Sequence, residues 1–159
     1  MSTPHRPGTA ARWQRLLPAA WAGLLICVAA IAAPSAFAVL PRADAGRFVA
    51  RVFAQEAWVS LALAALLLAA TFARGARRAV AADRALLCVA LLATLLGYFA
   101  IQPLLPAARQ GSAVFSFAQL HLFSTVMYAL KALAVIAVAW RACAAAEGAN
   151  AGVSPGPSS

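Results

Sequence analysis

The strongest constraint on the fold is a series of four apolar stretches, which cover residues 16–40, 57–72, 85–101 and 115–140. A helix needs about 20 apolar residues to cross the hydrocarbon core of a bilayer, so each stretch approaches the length of one span. Hydrophobic residues make up 64% of the chain and charged residues 11%, whereas soluble domains carry about 25% charged residues. The sequence therefore predicts an all-α integral membrane protein, a four-helix bundle with no room for a separate catalytic domain.

The second and third spans have particular boundaries. Over residues 45–56 the apolar side chains share one helical face, so we predict a single helix over 45–72 whose first turns rest at the membrane surface. Asp44 is the predicted N-cap of this helix. The third span, 85–101, is predicted to stop before Pro103, because proline lacks the N–H that a continuing helix needs.

The flanks and loops orient the four-span domain, residues 16–141. Residues 1–15 form a basic tail, and residues 142–159 are predicted to be a disordered tail, because their last ten residues, 150–159, are Gly/Pro/Ser-rich. Positive residues collect on the cytoplasmic side of membrane proteins. One side carries Arg6, Arg12, Arg15, Arg74, Arg77, Arg78, Arg84 and Arg141, and the other carries Arg42, Arg47, Arg51 and Arg109. Both termini are therefore predicted to be cytoplasmic, and the net charge of +9 reflects topology and lipid attraction rather than nucleic-acid binding.

The first 38 residues also fit a secretory signal, with Ala36-Phe37-Ala38 as a cleavage site. Their apolar run of about 20 residues is longer than the 7–15 typical of such signals. Cleavage would also place the basic middle loop outside the cell. We therefore expect the first helix to be retained, with cleavage as the alternative.

The tryptophans Trp13, Trp21, Trp58 and Trp140 lie near span ends and fit interfacial anchoring. Pro34 lies inside the first span and is predicted to kink it, because a proline frees the carbonyl four residues earlier.

The last span is the most polar. A single helical face holds His121, Ser124, Thr125, Tyr128 and Lys131. Polar side chains avoid lipid, so this face is expected to point into the bundle or toward a partner. Two interpretations stay open: hydrogen bonding between helices, which is the commoner case, and a pathway for a small solute or proton.

Glu56 and His121 form the predicted pair, one or two turns inside the outer membrane surface. A buried carboxylate is costly alone and less so beside an imidazole, which titrates near neutral pH. The alternative is that Glu56 reaches water at the membrane surface. Lys131 is predicted to lie deeper, near Cys27 and Thr94, without an acidic partner.

Cofactor and enzyme signals are missing from the sequence. The three cysteines lack metal-binding spacing, and one intramembrane histidine is too few for a haem held by two imidazoles. Hydrolase, zinc-protease and phosphate-loop motifs are also missing. We therefore predict no metal, no cofactor and no enzymatic activity. A redox subunit is the third and most distant alternative, because a haem or copper site would need a second copy of the chain to supply the other ligand.

Several short motifs resemble a bacterial four-helix membrane family that is catalogued as domain of unknown function 4149 and related to eukaryotic transmembrane protein 205. The motifs are Trp21-Ala22-Gly23, Ala33-Pro34, Leu40-Pro41 and Ala45-Gly46, with Leu120-His121 and Ser124 in the last span. The resemblance covers about residues 20–140. It implies a four-helix fold in the bacterial inner membrane and no particular reaction.

The predicted function is that of a non-enzymatic membrane protein that handles a small solute or proton along the polar face of the last helix. Its candidate residues are Glu56, His121, Ser124, Tyr128 and Lys131. The alternative is a structural or assembly partner whose polar face docks another membrane protein. The expected partners are membrane lipid and either a second copy of the chain or another membrane protein.

Overall fold

The computed structural model describes residues 9–75, 78–111 and 114–151, with side chains over 12–75, 79–111 and 114–145. Every regular element within these ranges is helical, and four helical segments are long and apolar enough to cross a membrane. We call them span 1 (Arg12–Val39), span 2 (Arg42–Ala73), span 3 (Ala79–Arg109) and span 4 (Phe117–Ala145). The predicted all-α, four-span membrane fold is confirmed.

Two of the spans are interrupted helices. Span 1 consists of α1 (Thr9–Cys27), a π-helical segment (Val28–Ala32) and α2 (Ala33–Val39). Span 2 is α3 (Arg42–Ala73). Span 3 consists of α4 (Arg78–Thr94), a second π-helical segment (Leu95–Ala100), a 3₁₀ turn (Gln102–Leu104) and α5 (Leu105–Arg109). Span 4 lies within α6 (Phe117–Ala151).

The spans alternate in direction, which gives the bundle two distinct ends. At one end, which we call the near end, span 1 begins, span 2 connects to span 3, and span 4 ends. Asp83 of span 3 contacts Arg141 of span 4 there. The connections between spans 1 and 2 and between spans 3 and 4 lie at the opposite, far end. Arg42 and Arg109 line a common cavity there.

The second helix begins earlier than predicted. It starts at Arg42, with Pro41 in the N-cap position, so the prediction of Asp44 as N-cap is wrong. Proline suits the beginning of a helix because its missing N–H would have no partner there. Asp44 lies in the first turn, where its negative charge complements the helix dipole and pairs with Arg47.

Two other boundaries also differ. The regular α-helix of span 3 ends at Thr94 and the π-helical segment at Ala100, yet the chain continues in helical turns to Arg109, because Pro103 and Pro106 each open a new element. α6 continues to Ala151, so the predicted boundary of a disordered tail at 142 is wrong for residues 142–151. Residues 152–159 of that predicted tail lie outside the described residues.

Large apolar side chains from all four spans meet in the half of the bundle next to the near end. The members with the largest side chains are Trp21 and Leu25 of span 1, Leu67 of span 2, Leu87 of span 3 and Val135 of span 4. We call this cluster the dense core. Because each span contributes to it, the dense core holds the four helices together at one level.

Most of the surface of the spans is apolar and exposed. Only 28–33% of the most apolar window of each span is buried inside the bundle. Exposed side chains such as Leu66, Leu92 and Leu133 cover the outside of three different spans. This surface is suited to lipid, which is as apolar as a protein interior.

Candidate functional site

A cavity occupies the half of the bundle next to the far end, and residues from all four spans line it. Its volume is about 850 Å³. It extends from Arg42, Arg109 and Phe117 at the far end to Glu56 and Lys131 in the middle of the bundle. We call it the far cavity.

Small residues make room for the far cavity. Ala33 of span 1, Gly46 and Ala50 of span 2 and Ala93 of span 3 line its wall. A Cβ atom added at Gly46 would meet nothing within 4 Å, which shows that this position faces open space. These positions therefore leave open a space that larger side chains would fill.

The two π-helical segments flank the same cavity. Ala29 lies in the first segment, Val28–Ala32, and Gly97 and Tyr98 lie in the second, Leu95–Ala100. The first segment ends two residues before Pro34, next to the place where the sequence predicts a kink, and the Ala33 N–H donates to the Val28 carbonyl. π-Helical turns interrupt regular α-helices and are frequent at functional sites.

A buried ion pair joins span 2 to span 4 at the inner limit of the cavity. Lys131 Nζ donates to both carboxylate oxygens of Glu56, each at 2.8 Å. The Lys131 side chain is 4% exposed and that of Glu56 2%. The prediction that Lys131 lacks an acidic partner is therefore wrong.

The depth of the two residues in their helices explains why they meet. Glu56 lies 14 residues after Arg42, where α3 begins, and Lys131 lies 14 residues after Phe117, where α6 begins. At 1.5 Å per residue, each is about 21 Å from the start of its helix. Both helices start at the far end, so the carboxylate and the ammonium reach the same level.

The predicted pair of Glu56 with His121 is wrong. Glu56 binds Lys131, whereas His121 is exposed and stacks on Phe117, with ring centroids 5.7 Å apart. The error came from placing the first turns of this helix at the membrane surface, which left Glu56 only one or two turns inside it. In the structure those turns lie within the bundle, where Ala45 is buried and Phe53 lines the far cavity, so Glu56 lies deeper than predicted.

A hydrogen-bonded chain extends the ion pair to span 1. The hydroxyl of Ser60 donates to Glu56 Oε1, and Trp21 Nε1 donates to Ser60 Oγ at 2.9 Å. Ser60 lies one helical turn after Glu56, a spacing that was available from the sequence. Trp21 is 1% exposed, so its predicted role as an interfacial anchor is wrong.

Tyr128 covers the ammonium of Lys131 and connects span 4 to span 1. Lys131 Nζ lies 4.5 Å from the centre of the Tyr128 ring, within range of a cation–π contact. The Tyr128 hydroxyl donates to the Leu25 carbonyl at 2.8 Å. Phe53 of span 2 packs edge-on against the same ring, with centroids 5.2 Å apart. These contacts hold the tyrosine ring in place beside the cavity.

The remaining predicted polar residues line the far cavity closer to the far end. His121, Ser124 and Thr125 all contribute to the wall. Ser124 Oγ donates to the Gly97 carbonyl of span 3 at 3.5 Å, and Thr125 Oγ1 donates to the His121 carbonyl at 2.9 Å. The polar face of the last helix thus borders the cavity along its length, with its deeper members bonded inside the bundle.

The cavity has a mixed chemical character. Phe37, Phe53 and Phe117 supply apolar wall, while the ion pair and Thr94 supply polar groups at its deep end. Arg42 and Arg109 line its outer part, and the guanidinium of Arg109 lies 4.9 Å from the centre of the Phe117 ring. The arrangement can hold a molecule with a polar group at one end and an apolar body.

Comparison with known proteins identifies a family. The sequence pattern of the family described as Domain of unknown function (DUF4149) matches residues 16–113, which cover spans 1 to 3. The Leu120-His121 and Ser124 motif lies beyond this match, and the relation to eukaryotic transmembrane protein 205 stays a prediction. Comparison with curated proteins and with solved structures gives no significant match. The matched residues make up more than half of the chain, so this four-span membrane protein belongs to the family of domain of unknown function 4149.

Proposed function

We propose that this protein binds a small amphipathic solute in the far cavity, with the Glu56–Lys131 ion pair as the polar end of the site. The observation that carries the proposal is a volume of about 850 Å³ that ends on a buried ion pair. Ligand pockets usually measure about 300–1,000 Å³. A proton pathway needs no cavity of this size, so a solute is favoured over a proton alone.

The ion pair itself supports a functional role. Taking two charges out of water costs several kcal/mol for each ion, and replacing a buried pair by apolar residues is often neutral or stabilising. Ionisable residues within a membrane commonly mark a substrate or ion path. The pair of Glu56 and Lys131 is therefore hard to explain by stability alone.

The chemistry of the pair narrows the class of solute. Lys131 offers N–H donors and Glu56 offers acceptor oxygens, with the two groups 2.8 Å apart. Their charges cancel, which favours a neutral polar group or a zwitterion over an ion of one sign. The phenylalanines of the wall suit an apolar body attached to that group.

The alternative, a docking surface for another membrane protein, receives less support. Tyr128 and Lys131 are bonded within the chain, to Leu25 and to Glu56. Thr125 is exposed, but its hydroxyl is bonded to the backbone of the same helix. Little of the polar face of the last helix is therefore left without a partner.

Location and orientation belong to the same proposal. We infer a bacterial inner membrane with both termini in the cytoplasm, supported by the sequence count of eight arginines on one side of the predicted topology against four on the other. The far cavity would then lie in the extracytoplasmic half of the bundle. The proposed role is binding or passage of a solute and involves no enzymatic step.

Two glycine variants test the proposal. Gly46 lines the cavity and Gly23 is exposed outside it, and at both positions an added Cβ meets nothing within 4 Å. Gly46→Phe should fill the cavity, and Gly23→Phe is the matched control. The measurement is a native mass spectrum of the wild type and of each variant, each purified from the membranes of the cells that express it.

The wild type and Gly23→Phe are expected to carry a small-molecule adduct that Gly46→Phe lacks. The proposal is wrong if the wild type is released as the bare chain. It is equally wrong if all three proteins carry the same adduct, because the ligand would then bind elsewhere.

A further inference from the structure

The near end of the bundle contains a second, smaller cavity with an unbalanced set of charges. Its volume is about 180 Å³, and residues from all four spans line it. Among the described side chains, its charged lining residues are Arg15, Arg74, Arg141 and Asp83. Three positive groups face one negative group. We call it the near cavity.

Asp83 accepts hydrogen bonds from only some of the N–H donors of these arginines. Arg141 Nε donates to Asp83 Oδ1 at 2.7 Å, and Arg141 Nη2 donates to the Ala79 carbonyl at 2.9 Å. Arg74 Nη2 lies 3.8 Å from Asp83 Oδ2, which is too long for a direct hydrogen bond. The Arg74 side chain is 41% exposed, so its guanidinium retains donors for another acceptor.

A neighbouring arginine holds Arg74 at the edge of this cavity. Arg84 Nη2 donates to the Thr71 carbonyl at 2.8 Å and to the Gly75 carbonyl at 3.3 Å. Its guanidinium also lies 4.4 Å from the centre of the Phe72 ring. These contacts fix the backbone on both sides of Arg74, so the residue is presented from an ordered turn.

We propose that the near cavity binds a phosphate group, supplied by the headgroup of an anionic glycerophospholipid. Guanidinium groups match phosphate geometry and form paired hydrogen bonds with it. Basic pockets between membrane helices bind such headgroups. A phosphate here would balance the excess positive charge of Arg15 and Arg74 and bridge spans 1 and 2.

The position of the near cavity favours a lipid as the source of the phosphate. Arg15 lies near the start of span 1, and Arg74 directly follows span 2. Arg141 lies near the end of span 4. All three are therefore placed at the level where apolar span gives way to polar headgroup. Free inorganic phosphate presents the same chemistry, and the experiment separates the two sources.

The test is a lipid titration of the full-length protein in detergent, followed by native mass spectrometry. Wild type is titrated with phosphatidylglycerol and with phosphatidylcholine, and inorganic phosphate is then added as a competitor. Arg15→Gln and Arg74→Gln each remove one cavity charge, and Arg15→Gln leaves both ion pairs of Asp83 intact. Arg12→Gln is the matched control, since Arg12 is exposed on the same helix and does not line the cavity.

Wild type is expected to prefer phosphatidylglycerol, and each cavity variant should lower its affinity about five-fold, while Arg12→Gln leaves it nearly unchanged. Equal binding of the two lipids, without competition by inorganic phosphate, overturns the proposal. An equal loss in Arg12→Gln also overturns it, because the effect would then be one of general surface charge. Binding of inorganic phosphate with no lipid preference would support the phosphate site and replace lipid by free phosphate as its source. The near cavity shares no lining residue with the far cavity, so this result is independent of the proposed solute site.

Discussion

The near and far halves of the bundle have the same apolar character but differ in how they are packed. In the near half, Trp21, Leu25, Leu87 and Val135 are almost completely buried and fill the space between the spans. In the far half, small residues and an ion pair surround about 850 Å³ of open space. Hydropathy does not separate the two halves, because lipid and protein interior are similarly apolar. The two halves differ instead in the volume of the side chains at positions where the helices face each other.

The change from one half to the other coincides with irregular helix. The segments Val28–Ala32 and Leu95–Ala100 lie in spans 1 and 3 next to the far cavity. A π-helical turn adds a residue to the helical repeat and so changes which side chains face the interior. The helices beside the dense core remain regular. This contrast indicates that the far half is built around its cavity, whereas the dense core holds the four spans together.

The largest expected effect comes from breaking the ion pair at the boundary between the halves. Lys131→Met leaves the Glu56 carboxylate buried beside an apolar side chain. We expect the free energy of unfolding to fall by about 3–5 kcal/mol, the usual cost of an unpaired buried charge. Denaturation of the purified protein in mixed micelles measures this loss.

The control is the double variant Glu56→Leu/Lys131→Met, which removes both charges and retains comparable volume. Its stability should return to within about 1 kcal/mol of wild type, because an apolar pair replaces an ion pair at little cost. It should still lose the solute adduct. If the double variant were as unstable as Lys131→Met, the ion pair would be a structural element like the dense core.

A second effect compares two glycines that both line the far cavity but differ in the space around them. A Cβ added at Gly97 would lie 2.9 Å from Met127 Cβ, which belongs to the rigid part of its side chain. Gly97→Ala is therefore expected to destabilise the protein by about 1–3 kcal/mol through overpacking. Gly46→Ala faces open space and should not destabilise it. Thermal unfolding of the two variants distinguishes them, and equal losses would contradict the open wall.

The same substitution at two valines measures the packing of each half directly. Val135 is fully buried in the dense core, and Val49 lines the far cavity. Val135→Ala should cost about 1–2 kcal/mol because it leaves a void, whereas Val49→Ala should cost less than about 0.5 kcal/mol. Denaturant titration under identical conditions provides the comparison. A larger loss at Val49 would mean that the cavity wall is as tightly packed as the core.

The smallest expected effect concerns the hydrogen bond that ties the dense core to the ion pair. Trp21→Phe keeps an aromatic ring but removes the donor to Ser60, and we expect a loss of about 1 kcal/mol. Trp58→Phe is the control, because Trp58 is 62% exposed. Its stability should stay within about 0.5 kcal/mol of wild type. Coinciding unfolding curves for the two variants would contradict a stabilising hydrogen bond between the dense core and the site.

The sequence predicted the four spans well because the length and hydropathy of each stretch follow directly from the thickness of a bilayer. It also identified Glu56 and Lys131 as residues of interest, since intramembrane charges are rare. It failed to pair them. The pairing depends on the depth of each residue in the bundle, and the amphipathic lead-in to span 2 was expected at the membrane surface, whereas it lies inside the bundle along the far cavity.

Trp21 illustrates a different limit of prediction. Tryptophan near a span end is usually interfacial, and the sequence offers no sign that this residue turns inward. The structure places it at 1% exposure with its indole N–H bonded to Ser60. Which way a side chain faces in an apolar helix depends on its neighbours. Sequence periodicity does not predict this orientation, because both faces of the helix are apolar.

The sequence by itself determined that this chain is an all-α membrane protein with four spans, because each feature it used is local and set by the bilayer. Tertiary structure alone decided that Glu56 pairs with Lys131, that Trp21 is buried and that the far half contains a cavity. These outcomes depend on the relative depth, rotation and volume of side chains on different helices. Hydropathy determines neither the depth, nor the rotation, nor the side-chain volume, since an apolar helix packs equally well against lipid or against another helix.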